Sequence, residues 1–590
     1  MKAAFPSIAA ALAAGLLAGD APAPATVSAE TLAMLDPARL AAEMCGSRRG
    51  AAALRSRLKR AAAIKGQDAA AAAAPIPVPD AIRLAVTSAD PAVARYVRQG
   101  LLLAYGFNHQ AAIAAFREAQ RRDPGCAICF WGEAYALGPN INAPMEPQAL
   151  PQAIAAIGRA SRLAPSASPA ERALIEALAR RYSAEAGADR AALEAAYADA
   201  MLAAAGRFPE DDDVAVIAAE AAMNTRPWDY WEADRTTPKP RIGEAVRLVE
   251  TVLARRPDHP QAQHLYIHLV EASGDPRRAE AAADRLAAAS ITSAGHLVHM
   301  PGHIYYVLGR FADSIRVNVE AARADEAYLA GAGENPTYRY GYYPHNVHFL
   351  LTSAQMAGDM ALVIEQSARL GRIVNPAVAA QLAWLQPVTA APYTAHAQFA
   401  SPERILALGE ADARLPFVAA MRHYARAVAR ARQQDRAEFD RELAALRAIR
   451  DGDGIQPMLE QGAPARDLLG IADHVAQGRY AFATGRHDEA AGHYREAAAI
   501  EDTIPYLEPP WWYYPVRQSL GAALFRAGRH EEAKAAFMAA LARSPNNGWA
   551  LYGLAQTERA LGRRVEAAAA EAALRRAWLG DRRWLRMDRL

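Results

Sequence analysis

Near its C-terminal end the chain returns the same residue types at a fixed interval. Leu520-Gly521, Ala533, Phe537, Ala540 and Pro545 are followed by Leu554-Ala555 and Ala567, and Ala533 and Ala567 stand 34 residues apart. The same order occurs with Ala112, Phe116, Ala119 and Pro124, with Ala153, Ile157, Ala160 and Pro165, and with Ala245, Val249, Val252 and Pro257. Small residues let paired helices approach, the bulky residue four positions later fills the space between pairs, and proline ends the second helix. A unit this short cannot bury its apolar face alone, so copies must stack into one continuous core. An alanine-rich bundle without repeats would not return these types at one period. The expected fold is all-α: an α-solenoid of helix–turn–helix repeats over residues 93–580.

Composition supports a uniform helical array. Aromatics are 7% of 590 residues, and 66 basic against 64 acidic side chains leave a net charge of +2. That balance gives no electrostatic reason to expect nucleic acid or an anionic membrane as partner. Lys2, the apolar run 8–18 and Ala23-Pro24-Ala25 read as a signal peptide over residues 1–25, cut after Ala25. The expected location is therefore periplasmic or secreted, and no later stretch is apolar enough for a stable membrane anchor. Residues 26–92 read as a helical lead-in ending in an Ala/Pro linker (residues 69–79), and residues 581–590 as a tail. Of three cysteines, Cys126 and Cys129 form a C-x-x-C pair without the following histidine that haem attachment needs. A local disulfide is the first expectation for them in an oxidising compartment, two buried thiols the second, a metal role the third.

Residues 212–377 carry the functional signal. His264, His299 and His348 each lie ten residues before a glycine (Gly274, Gly309, Gly358); His268 and His303 lie six before, His296 and His345 thirteen before. Steps of three and four stack side chains on one helical face, and helices packed 8–10 Å apart let imidazoles from neighbours reach one ion. The repeat ending at Gly528 has Gln518 and Ala522 in these slots, so the stripe is local. The expected site is a divalent transition-metal centre of His264, His268, His299, His303 and His348, with His296 and His345 at its edge. Imidazole suits zinc, copper, iron or nickel. Glu271 and Glu220 are candidate ligands or general bases. Phosphate-binding glycine loops and nucleophile elbows are missing, and Leu265 stands where a zinc-protease helix needs glutamate.

The 34-residue period resembles the tetratricopeptide-repeat superfamily over residues 93–580, with several degenerate copies. Residues 295–309 (GHLVHMPGHIYYVLG, an HxxHMPxH motif), 343–350 (YPHNVHFL) and 125–145 resemble a group of exported bacterial tetratricopeptide-repeat proteins. That resemblance names no activity. It implies that the first helix of each pair lines a concave groove, with His264, His299 and His348 on its inner wall. Three insertions interrupt the repeats: residues 224–240 (NTRPWDYWEADRTTPKP), 325–343 (DEAYLAGAGENPTYRYGYY) and 503–514 (TIPYLEPPWWYY). Long aromatic loops in a repeat array point to function rather than disorder. Two readings follow. One is a scaffold that binds a protein, peptide or small-molecule ligand in its groove, with a structural or carried metal. The other is a metal-dependent enzyme, hydrolytic or oxidative, and an open three-ligand site would favour it over a closed four-ligand one.

Overall fold

The computed structural model describes residues 74–289, 291–331, 335–504 and 506–590. The signal peptide, its cleavage point and most of the lead-in lie outside the described residues. Among the described residues helices follow one another in packed pairs and no strand forms; Trp231 and Pro238 make one isolated bridge. No helix among them is long and apolar enough to cross a membrane.

Local chemistry sets the helix ends. Asn108 and Asp211 side chains accept from the N–H groups of Ala111 and Val214, and Ser168 with Glu171 forms a reciprocal capping box. Pro91, Pro260 and Pro301 occupy first-turn positions, where their missing N–H costs nothing. The bulky repeat residue then locks successive pairs. The Phe116 ring lies against both Gly100 and Gly132, and the Phe537 ring against both Gly521 and Gly553. A Cβ at any of these four glycines would stand 2.2–2.7 Å from the ring, so both flanking helices must present bare backbone.

One terminal expectation is corrected. Residues 74–90 are extended, not helical, and they are strapped to the repeats rather than forming a free linker. Gln99 bonds Ile76 N and Ala74 O, the Asp213 carboxylate accepts from Arg83 N, and Glu171 accepts from Thr87 N. Prolines 75, 77 and 79 have no N–H to give a helix, so the strap pairs with side chains instead. The 581–590 tail also packs: Leu590 is fully buried, and its carbonyl accepts from Ser519 Oγ at 2.8 Å.

The array closes on its middle. The helices that matter are α1 (Pro260–Val270), α2 (Gly295–His299), α3 (Pro301–Val307), α4 (Phe311–Gly331), α5 (Tyr343–Ala357) and α6 (Gly548–Ala560). From the N-terminal side, Asn108 accepts from Asn335 Nδ2 at 3.0 Å, and Phe107 packs on His264 and His296. From the C-terminal side, Trp549 on α6 donates to Gln355 O on α5 at 3.0 Å, and Leu579 N donates to Ala357 O. The histidine-bearing helices therefore lie inside the molecule.

Candidate metal centre

Every residue of α1 is buried, so its i,i+4 pair His264/His268 faces protein on all sides. Helices α2 and α3 meet at Met300, and α5 opens with Tyr343-Pro344-His345. Six imidazoles gather into two sets of three. His264, His268 and His296 form one, and His299, His303 and His345 the other; within each set the ligand atoms lie within 4.8 Å of one another. Both sets follow one rule. Each takes the residues ten and six before one repeat's glycine and the residue thirteen before the next. The centre is thus the same junction built twice, and the sets are neighbours: His268 and His303 ring centres are 5.6 Å apart, His296 and His299 6.0 Å.

The surrounding hydrogen bonds fix which nitrogens carry protons. Gln261 Nε2 donates to Glu220, so its Oε1 must accept from His264 Nδ1, at 3.0 Å. Asn318 Nδ2 donates to Ser314 O, so its Oδ1 must accept from His299 Nδ1, at 2.7 Å. The Glu271 carboxylate accepts from His268 Nδ1 at 2.8 Å and from His303 Nδ1 at 2.7 Å, tying the two sets together. With these four Nδ1 atoms engaged as donors, the rings turn their Nε2 atoms inward. His264 and His296 Nε2 stand 3.2 Å apart, His299 and His303 2.8 Å, His299 and His345 3.1 Å. His268 Nε2 has no partner within the chain. At His299 and His303 both Nδ1 protons are committed elsewhere, so their Nε2 lone pairs face each other and repel unless a cation lies between them. Burial, reinforced by neighbouring imidazoles, holds His264, His296 and His299 well below the ordinary imidazole range, so a proton is a poor candidate. Burial alone would raise Glu271; the His303 and His268 imidazoles outweigh it and keep its carboxyl below the ordinary range.

Several expectations change. His296 and His345, expected at the edge, are central. His348 leaves the sets: Tyr513 OH donates to Pro387 O, so it accepts from His348 Nε2 at 2.9 Å, and that nitrogen is spent as a donor. Its i+4 position is Thr352, which offers no second imidazole. Glu220 is not at the centre either; Tyr135 and Gln261 occupy its carboxylate, and it supports His264 at one remove. Glu271 orients imidazoles rather than facing the ligand atoms. The centre is enclosed rather than spread on an open groove wall. Asn318 and Gln261, which orient two of the rings, carried no sequence signal, because buried amides are common in helical repeats.

All three aromatic insertions meet here, bordering a cavity of ≈ 160 Å³ together with His268, His296, His303, His345 and His348. Trp228 and Trp231 come from the first; their indole N–H groups donate to Asn142 Oδ1 and Leu269 O. Tyr342 comes from the second, which is not a loop: α4 runs to Gly331, and a π-helical turn (Thr337–Tyr342) leads into α5. Tyr506, Glu508 and Trp511 come from the third. Outside the two sets, Cys126 and Cys129 are joined by a disulfide at the start of Ala127–Leu137.

The tetratricopeptide-repeat family profile matches residues 524–586. No curated protein matches the sequence. Among solved structures, the human IFIT1 dimer with m7Gppp-AAAA is 12% identical over 93% of this chain and 99% of its own, with a TM-score of 0.30. The APC/C hetero-tetramer Cut9-Hcn1 is 12% identical over 83% and 96%, at 0.24. Naa15/Naa10 bound to HypK-THB is 12% identical over 83% and 89%, at 0.21. Likenesses this slight carry nothing about ligand or activity.

Proposed function

We propose that this tetratricopeptide-repeat protein holds two divalent transition-metal ions, one in each histidine set, and uses them for metal-dependent chemistry on a small molecule. The observation that carries the reading is the convergence of Nε2 lone pairs whose Nδ1 protons are committed elsewhere. Metal-bound histidines ordinarily donate their second ring N–H to a carboxylate or carbonyl oxygen, the pattern made by Glu271, Gln261 and Asn318. Tetrahedral coordination at zinc-like bond lengths separates ligand nitrogens by about 3.3 Å, close to the spacings of 2.8–3.2 Å. Three nitrogens per set, not four, favour chemistry over a closed structural ion. A cavity of ≈ 160 Å³ favours a small molecule over a peptide helix, whose diameter is about 10–12 Å. Zinc, copper, iron and nickel all suit these ligands.

Elemental analysis of the purified chain should find two transition-metal ions, one per histidine set, removable by a strong chelator. His264→Ala or His268→Ala should cost one ion, and His299→Ala or His303→Ala the other, with helix content unchanged. His348→Ala should keep both. A chain that takes up no metal on titration sinks the reading. We also infer export, supported by the apolar run 8–18 and by a disulfide suited to an oxidising compartment. Mass spectrometry of the exported protein should find a new N-terminus near Thr26; an intact Met1 would count against it.

A further inference from the structure

The cavity has walls of one kind and a polar group of another. Its volume of ≈ 160 Å³ is near the roughly 150 Å³ that admits a single benzene ring in an engineered apolar cavity. Trp228, Tyr342, Trp384 and Trp511 line it, and two of them continue directly from the histidines: Trp228 packs edge-on to His268 at 4.8 Å, and Tyr342 on His296 at 4.9 Å. A planar ring among such neighbours gains offset or edge contacts on several sides.

Glu508 is the exception in this wall. It is 7% exposed, its Oε1 accepts from Tyr506 OH, and its Oε2 has no partner within the chain. A buried carboxyl oxygen without a partner is costly unless something else meets it. Tyr506 OH also lies 3.5 Å from Glu271 Oε2, which sets a second carboxyl beside the one that orients the histidines. Burial, then the Glu271 charge, pushes the Glu508 carboxyl well above the ordinary range, and with Tyr506 OH donating to Oε1 the proton falls on the unpartnered Oε2. Glu508 is therefore a hydrogen-bond donor to whatever shares the cavity.

We propose that the cavity binds a single-ring phenol, its oxygen toward the histidine sets, its ring among Trp228, Trp384 and Trp511, and an acceptor substituent on Glu508. This rests on the two-ion reading above. Two dications beside one carboxylate leave the centre positive, which favours an anionic oxygen and opposes the quaternary ammonium that an aromatic box would otherwise suit.

The test titrates the metal-loaded full chain with 4-nitrophenol, following tryptophan fluorescence and the visible band of the phenolate, with metal content measured in every sample. Saturable quenching with growth of the phenolate band is expected. Nitrobenzene, which lacks the oxygen, should bind at least about tenfold more weakly, and benzyltrimethylammonium more weakly still. Glu508→Leu should cost about tenfold, the worth of one buried hydrogen bond, with metal retained. Glu508→Gln, whose amide still donates, should restore most of it. Should Glu508→Leu fail to fold, phenol compared with 4-nitrophenol on the unmodified chain isolates the same bond. Two bound ions with no phenol binding, nitrobenzene binding as tightly as 4-nitrophenol, or preference for the ammonium probe overturns the proposal alone. A chain that takes up no metal overturns the two-ion reading beneath it.

Discussion

Glu271 is the residue on which both histidine sets depend, because one carboxylate fixes the tautomer of a ring in each. His268 and His303 use opposite oxygens of the carboxylate, so a glutamine there offers its one carbonyl oxygen to only one of them. The other ring must turn over, protonating the Nε2 that faced inward. Glu271→Gln should therefore weaken one ion by about 10–100-fold, as loss of an outer hydrogen-bond partner generally does, and leave the second largely intact. Metal stoichiometry after graded chelation reads this directly; equal loss of both ions would contradict it. The histidines also make the metal-free chain acid-sensitive. Their folded pKa values are lowered, so below about 6.5, the unfolded value, the unfolded chain takes protons that the folded chain refuses. The stability they contribute is complete above that pH and is lost as pH falls through it, by at most about 1.4 kcal/mol per pH unit for each histidine. Urea midpoints of chelated protein should fall between pH 7.5 and 5.5; a flat profile would mean that these rings are not buried neutral. The spacing of these residues was legible in the sequence. Their grouping was not, because a ring's neighbour across a helix pair depends on which repeat supplies the third position.

At the scale of elements, the repeat signature has a direct mechanical meaning. Phe537 from one helix is wedged against Gly521 and Gly553 of the two flanking helices. Gly553→Ala would set a Cβ 2.2 Å from the ring, an overpacking that costs about 1–3 kcal/mol, while Phe537→Ala should cost about 3–5 kcal/mol through the cavity it leaves. Combining Gly553→Ala with Phe537→Leu should cost less than the sum, since the smaller side chain relieves the clash. A double-mutant cycle on urea unfolding checks this, and strict additivity would deny the wedge. This part of the fold was readable in advance, because a 34-residue period with alternating small and bulky positions leaves few ways to bury its apolar faces. The helix ends are fixed by the local caps Asn108, Asp211 and Ser168, which the repeat pattern did not mark. The second insertion was misread as a loop, because its tyrosines and glycines do not betray a π-helical turn.

At the scale of the whole molecule, function depends on closure. The Trp578 ring stands edge-on to Trp549 at 4.8 Å and covers Gly358, which ends α5 at a φ of +83°. Trp578→Ala should loosen the seam between the C-terminal repeats and α5. Hydrogen exchange should rise in α5 and α6 and stay unchanged in Pro91–Tyr105, which the seam does not touch; a uniform rise would indicate global destabilisation instead. This seam belongs to the closure that carries Tyr506 and Glu508 to Glu271, 235 residues away in sequence for Tyr506. By itself the sequence determined the helices, their pairing and the stripe of imidazoles, because those follow from interactions within one or two repeats. Only the tertiary structure decided that six imidazoles divide into two sets, that His348 serves Tyr513, and that three aromatic segments share one cavity. The physical reason is that a solenoid's curvature accumulates from small rotations at every repeat, and no local pattern records where the two ends of such a curve will meet.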